Sequence, residues 1–203
     1  MNLIVSQLLS VVLAGRHAGE SRLACNDPSL AKLPTTLKLH SSAFADGCAM
    51  PKASAGSGVG ANLSPDLSWE RLPDGATHWM LVIEDPDAPT PWPFVHGLAV
   101  GPTQVKGLEE GCFGGARAPN GVTFGRNTGR SFGYQGPRPL PGHGPHRYVF
   151  QLFALRAAPA DLDMKDGLRA VTPTLVNSAL ATGRLDGTFQ RDWFGRPLFY
   201  CDR

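Results

Sequence analysis

With 203 residues and a mass of 21.6 kDa, the chain fits one domain with appendages better than two domains. Lys and Arg number 19 against 17 Asp and Glu, a net charge of +2 that is far from the basic footprint of a nucleic-acid binder, and 42% hydrophobic with only 18% charged residues excludes a disordered chain. The 24 glycines and 18 prolines predict many turns and few long helices, which excludes an all-helical bundle.

Leu3 to Leu13 is apolar enough to resemble the core of a secretion signal, but no Lys or Arg precedes it. The run is also too short to span a bilayer, so no transmembrane segment is expected. Arg16, Glu20 and Arg22 separate it from Cys25 and argue against a lipid anchor there. Asn2, Ser6 and Ser10, with Gln7 beside them, make one narrow polar stripe on an otherwise apolar helix. Such a helix is expected to be buried on most sides, against the domain or across a homodimer interface. A cytoplasmic setting is the expectation, with the periplasm as the alternative. Cys25, Cys48, Cys112 and Cys201 stand singly with no C-x-x-C pair, so buried free thiols are expected; export would instead allow two disulfides in any of three pairings. Residues 1–34 read as a helical extension and 35–203 as the main domain.

From Leu33 onward, short apolar runs are cut by Gly, Pro and Asn, the texture of a strand-rich sandwich rather than of alternating βαβ units. Trp79 to Ile83 predicts a strand buried on both faces that ends at Asp85-Pro86-Asp87-Ala88-Pro89, where the prolines through Pro91 forbid further pairing. Val95 to Val100 predicts a second strand and Tyr148 to Leu155 a third. Between them, Gly111 to Pro145 holds ten glycines and reads as a long loop, which Phe113, Phe124, Phe132 and Tyr134 mark as ordered. Thr172 as N-cap, Pro173 in the first turn and Gly183 past the end predict a helix over Thr174 to Thr182, followed by a strand around Thr188. Trp69, Trp79 and Trp92 read as core or loop anchors.

Residues two apart on a strand share a face, so His146 and Tyr148 point the same way at the mouth of the third strand, Asp85 and Asp87 meet at the end of the first, and His96 opens the second. A carboxylate accepting the Nδ1 hydrogen of a histidine fixes its tautomer and leaves the other nitrogen as a donor. Two such histidines, a tyrosine hydroxyl and backbone N–H groups of the Gly136-Pro137-Arg138 loop would make a site for phosphate or another oxyanion. Taken singly, the two aspartates are ordinary turn residues, His96 an ordinary core histidine, and Arg138 and Arg147 surface or ion-pair residues. Gly144-Pro145 rules out the helix that would bring His143 and His146 onto one face as a metal pair; a two-histidine, one-carboxylate site from Asp85, His96 and His146 is the weaker metal alternative. No cofactor or metal is expected.

Three ordered segments resemble the phosphatidylethanolamine-binding protein family, in its bacterial branch. Asn62 to Trp69 (NLSPDLSW) resembles its S-P-x-L-x-W segment, and Glu84 to Pro89 (EDPDAP), with His96 downstream, resembles its D-P-D-A-P signature. Gly136 to Pro139 and Gly144 to Phe150 (GPHRYVF) resemble the second signature, a Gly/Pro loop leading into G-x-H-R-Y. The resemblance covers about Leu37 to Gly187. It implies a mainly β fold, a sandwich of a large central sheet on a smaller one with peripheral helices at both termini, and a small anion-binding pocket. Asp85, His96, His146 and Tyr148 would line that pocket, Gly136, Pro137 and Arg138 would wall it, and Asp87, Pro89 and Arg147 would support it. The resemblance also implies a cis peptide bond in the Ala88-Pro89 loop. Val95 precedes His96 where relatives carry an aromatic or second histidine, so the rim is expected to differ.

The implied function is a non-enzymatic binder of a phosphate-bearing or other small anionic ligand, with regulation through protein partners by family analogy alone. One alternative is a hydrolase using the Asp and His groups as acid and base, although G-x-S-x-G is absent. The other is a protease or kinase inhibitor acting through surface loops.

Overall fold

The structure is a computed structural model and describes residues 2–114, 118–159 and 168–201; part of the Gly111 to Pro145 loop, at 115–117, lies outside them. In chain order the elements are α1 (Leu3–Val12), β1 (Leu39–His40), β2 (Cys48–Ala49), β3 (Leu67–Trp69), β4 (His78–Asp85), β5 (Phe94–Pro102), β6 (Gly107–Leu108), β7 (Thr123–Phe124), β8 (His146–Leu155), α2 (Leu168–Ser178), β9 (Ala179–Arg191) and β10 (Pro197–Leu198). The large sheet runs β10-β9-β8-β4-β5-β7, its long strands antiparallel, with β2 added in parallel to β9. A small sheet, β1-β3-β6, covers one face.

The apolar run at Trp79 to Ile83 follows from this layering. Trp79, Leu81 and Ile83 point toward the small sheet, into a core shared with Trp69, Phe150, Leu152 and Phe189. Met80 and Val82 point the other way, onto Ala24, Leu30, Phe153 and Leu175, where 3-10 turns at Ala24–Asn26 and Pro28–Leu30 and helix α2 form a third layer. A strand covered on both faces has no polar position to alternate with. The sandwich expected from the sequence is therefore present, and the two α-helices among the described residues both lie outside the sheets.

Four local expectations are corrected. The helix near the end is α2 at Leu168–Ser178, with Pro173 inside it; the Thr172 hydroxyl donates back to the Leu168 carbonyl (3.1 Å) instead of capping the start. Ala179 to Thr182 joins strand β9 because pairing with β8 overrides local propensity. Every described peptide bond is trans, so the cis bond at Ala88-Pro89 is absent. Cys48 and Cys201 form a disulfide, while Cys25 and Cys112 are free.

Helix α1 inverts its expected packing. Ser6 and Ser10 are the residues it buries, whereas Ile4, Leu8 and Val11 are each 63% exposed and Val12 69%. Asn2 caps it by accepting from the Ile4 N–H, and Gln7 donates to the Trp193 carbonyl (2.8 Å).

Candidate functional site

Strands β4, β5 and β8 end around one small cavity of about 190 Å³, lined by Asp85, Pro89, Phe94, His96, Tyr148 and His146 among others. Asp85 stands at the last position of β4, where its Oδ1 accepts from the Asp87 N–H (2.8 Å), an Asx turn that starts the Asp85 to Pro89 loop. The turn reading and the site reading of this residue hold together, because Oδ2 is left to face the cavity.

His96 reaches the site through a β-bulge. Ile83 pairs with Gly97 and Glu84 with Val95, so His96 is the extra residue of β5. Strict alternation would set His96 beside Leu98, in the layer under α2; the bulge turns it to the other face, where its ring meets Tyr148 edge-on at 4.9 Å. Gly97 permits the close approach, since a Cβ there would lie 2.8 Å from Phe113. The His96 Nδ1–H donates to the Gln135 carbonyl (2.5 Å), and Gln135 N–H returns a bond to the His96 carbonyl (2.7 Å). That bond aims Nε2 into the cavity, 3.9 Å from Asp85 Oδ2. Burial holds His96 below the ordinary imidazole range, against the opposing pull of Asp85, so the ring is neutral when nothing negative is bound.

His146 does not supply the second free donor expected of it. Its Nδ1 lies 2.8 Å from Asp85 Oδ2, as anticipated, but its Nε2 lies 2.9 Å from Nδ1 of His143, a contact made by the loop without any helix. His143 Nε2 in turn donates to the Leu13 carbonyl at the end of α1 (3.1 Å). Burial depresses the basicity of His143, so in this row its Nδ1 accepts from the His146 Nε2–H while its Nε2–H is given to Leu13. With both His146 nitrogens engaged, the two-histidine, one-carboxylate metal alternative loses a ligand. Among the described residues no group of three His, Cys, Asp or Glu is placed to hold a metal.

The loop at Gly136 shapes the wall but does not donate as expected. A Cβ on Gly136 would sit 2.1 Å from the Ser54 carbonyl, and its N–H donates to Asn62 Oδ1 (2.8 Å). Pro137 turns away from the cavity lining, its carbonyl accepting from Gly56 N–H (2.9 Å). The Tyr148 phenol lines the cavity together with Arg138 and His96. Burial holds the Tyr148 phenol protonated, well above its ordinary range. The exposed Arg138 guanidinium stands at the rim and donates to the Ser57 carbonyl (3.3 Å).

Asp87 and Arg147 sit behind the site. Arg147 donates to Asp87 from its backbone N–H, Nε and Nη2, each at 2.9 Å, and from Nη1 to Glu20 (2.7 Å). Although burial opposes it, these bonds keep Asp87 ionised below the usual carboxylate range. Phe94, Gln135 and His143 are residues of this region to which the sequence does not point. Phe94 packs 4.8 Å from the His96 ring and supplies the aromatic absent from position 95, Gln135 anchors His96, and His143 reaches His146 through the loop without any helix. A larger cavity of about 660 Å³ lies on the opposite face of β4 and is floored by Glu84. The smaller one is the candidate site because the aspartate, the aimed imidazole and the phenol converge there.

The fold is a sandwich whose strand ends gather an aspartate, two histidines and a tyrosine at one small cavity. Residues 40–190 match the phosphatidylethanolamine-binding protein family, and the chain belongs to that family. A UPF0098 protein of Aquifex aeolicus is 32% identical over 157 residues, 77% of this chain and 90% of the relative. Among solved structures, Escherichia coli YbcL, described as a member of the mammalian PEBP family, superposes with a TM-score of 0.71 at 28% identity, over 76% of this chain and 98% of that one. The putative family homologue CT736 of Chlamydia trachomatis gives 0.67 at 28% identity, over 78% and 99%. No helix among the described residues is long and apolar enough to cross a membrane.

Proposed function

We propose that the protein binds a small phosphate-bearing anion in the cavity between Asp85, His96 and Tyr148 and leaves it chemically unchanged. The observation carrying this reading is the imidazole of His96, whose Nδ1–H is tied to Gln135 so that Nε2 faces an open space of about 190 Å³. That volume suits a phosphate or a phosphoethanolamine-type headgroup and leaves no room for acyl chains. The anion meets the Tyr148 hydroxyl and the Arg138 guanidinium at the rim, while Asp85 Oδ2 is engaged by His146 Nδ1 at 2.8 Å. Neutral in the empty site, His96 takes up a proton as the anion arrives. Binding therefore strengthens as pH falls.

Against hydrolysis, both ring nitrogens of His146 are occupied, and among the described residues no serine or cysteine lines the cavity. The Cys48–Cys201 disulfide supports the periplasmic alternative over the cytoplasmic one, since such bonds persist in oxidising compartments. Calorimetric titration with phosphate and phosphoethanolamine at pH 6, 7 and 8 tests the reading. Wild type is expected to gain up to about tenfold in affinity per pH unit lowered. His96→Ala, with its fold verified by circular dichroism, should lose at least about tenfold and most of the pH slope. Equal affinity in the variant, or no binding by wild type, would place the ligand elsewhere.

A further inference from the structure

The anomaly in this molecule is a helix turned inside out. Seven apolar side chains of α1 lie between 38% and 69% exposed, from Leu9 to Val12, while its two serines are the buried residues. Ile4, Leu8, Val11 and Val12 follow the i, i+4, i+7, i+8 spacing by which a helix ordinarily faces a core. Beside them, the hairpin between β9 and β10 presents Trp193 and Phe194, also exposed, and is held to α1 by the bond from Gln7 to the Trp193 carbonyl. These nine side chains leave on the order of 900 Å² of apolar surface, beyond the ~300–600 Å² of the largest patch on a typical monomer and close to the ~800 Å² each partner contributes to a stable interface.

We propose that this face is the homodimer interface, with α1 of one protomer packed against α1 of a second copy about a two-fold axis. An isologous contact needs only a self-complementary surface, and α1 meets that condition because Leu3 to Val12 carries no charge to set against its own copy. The same neutrality argues against a bilayer surface. Helices that lie on membranes place Lys and Arg on the outward polar face, and here the polar stripe is uncharged and packed against the domain. The interface would also adjoin the ligand site, since α1 ends at Leu13, whose carbonyl holds His143 against His146.

Sedimentation equilibrium of the full chain from 1 to 50 µM, with and without phosphatidylcholine–phosphatidylglycerol vesicles in a parallel flotation assay, provides the test. Wild type should sediment as a dimer and stay out of the vesicle fraction. Leu8→Glu combined with Val11→Glu, both at exposed positions that the fold tolerates, should raise the dimer dissociation constant at least tenfold with an unchanged circular dichroism spectrum. Trp193→Ala gives a second, milder variant expected to weaken the dimer in the same direction. A wild type that is monomeric throughout, a charged variant that dimerises as well as wild type, or flotation with the vesicles would each overturn the proposal.

Discussion

His146 shows how far the role of a single residue depends on its neighbours. Its Nδ1 contact with Asp85 follows from strand parity, but the capture of its Nε2 by His143 does not, because it depends on how the loop through Gly142 and Gly144 returns. The result is a division of labour in which His146 holds Asp85 and His143, and His96 is the imidazole aimed into the cavity. Glu84, one position before Asp85 and on the other face, is a second buried acid with a different fate. Its Oε2 accepts from the Ala24 N–H and from Gln151, each at 2.8 Å, yet burial prevails and raises it from 4.5 to about 7. Between those two values the folded state binds more protons than the unfolded chain, so this residue makes stability fall as pH rises through that window. Glu84→Gln keeps an oxygen for both donors and abolishes the titration. Relative to wild type the variant should gain about 2–4 kcal/mol between pH 5 and pH 8, read from urea midpoints at each pH. Parallel stability curves for the two proteins would show that Glu84 does not titrate in the fold.

At the scale of elements, the site depends on how three strand ends are stapled. Arg147 opens out from β8 and grips Asp87 in the loop after β4 with three bonds, so the turn carrying Asp85 is tied to the strand carrying His146 and Tyr148. Its remaining arm reaches Glu20, which also accepts from Arg184 on β9, and this joins the N-terminal segment to the sheet. Asp87→Ala removes a forked, partly buried contact and is expected to cost about 2 kcal/mol. Arg147→Lys should cost a comparable amount, because an ammonium cannot reproduce the fork. Combining the two should cost less than their sum, by at least about 1 kcal/mol in denaturant titrations, since both remove one interaction. Strict additivity would show that the two side chains do not act on each other. Element type was legible wherever burial was two-sided, as at Trp79 to Ile83, and the strand ends fell within two residues of the observed ones. The Thr172-Pro173 pair misled because a Thr-Pro dipeptide reads the same at a helix start as inside a helix where the hydroxyl bonds back one turn.

For the whole molecule, the disulfide between Cys48 and Cys201 closes a loop of 153 residues and ties the C-terminal segment to β2 beside β9. Cross-links over loops this long restrict the unfolded chain most, and replacing both cysteines by serine is expected to cost about 3–5 kcal/mol. Thiol titration of the unfolded, unreduced protein should find two reactive cysteines, Cys25 and Cys112, and four after reduction. Four thiols before reduction would show that the pair is open. The sequence could not choose this pairing, because nothing local relates two positions that far apart.

By itself the amino-acid order determined the fold class, the strands whose both faces are covered, and the three motif segments that place the chain in its family. It also pointed to Asp85, His96, His146 and Tyr148 as neighbours, because period-two geometry and turn chemistry are properties of short stretches. Only the tertiary structure decided which imidazole faces the cavity, which backbone N–H groups were already committed, and which side of α1 is buried. Each of those depends on a bulge, a returning loop or a docking face, features set by contacts between residues distant in the chain.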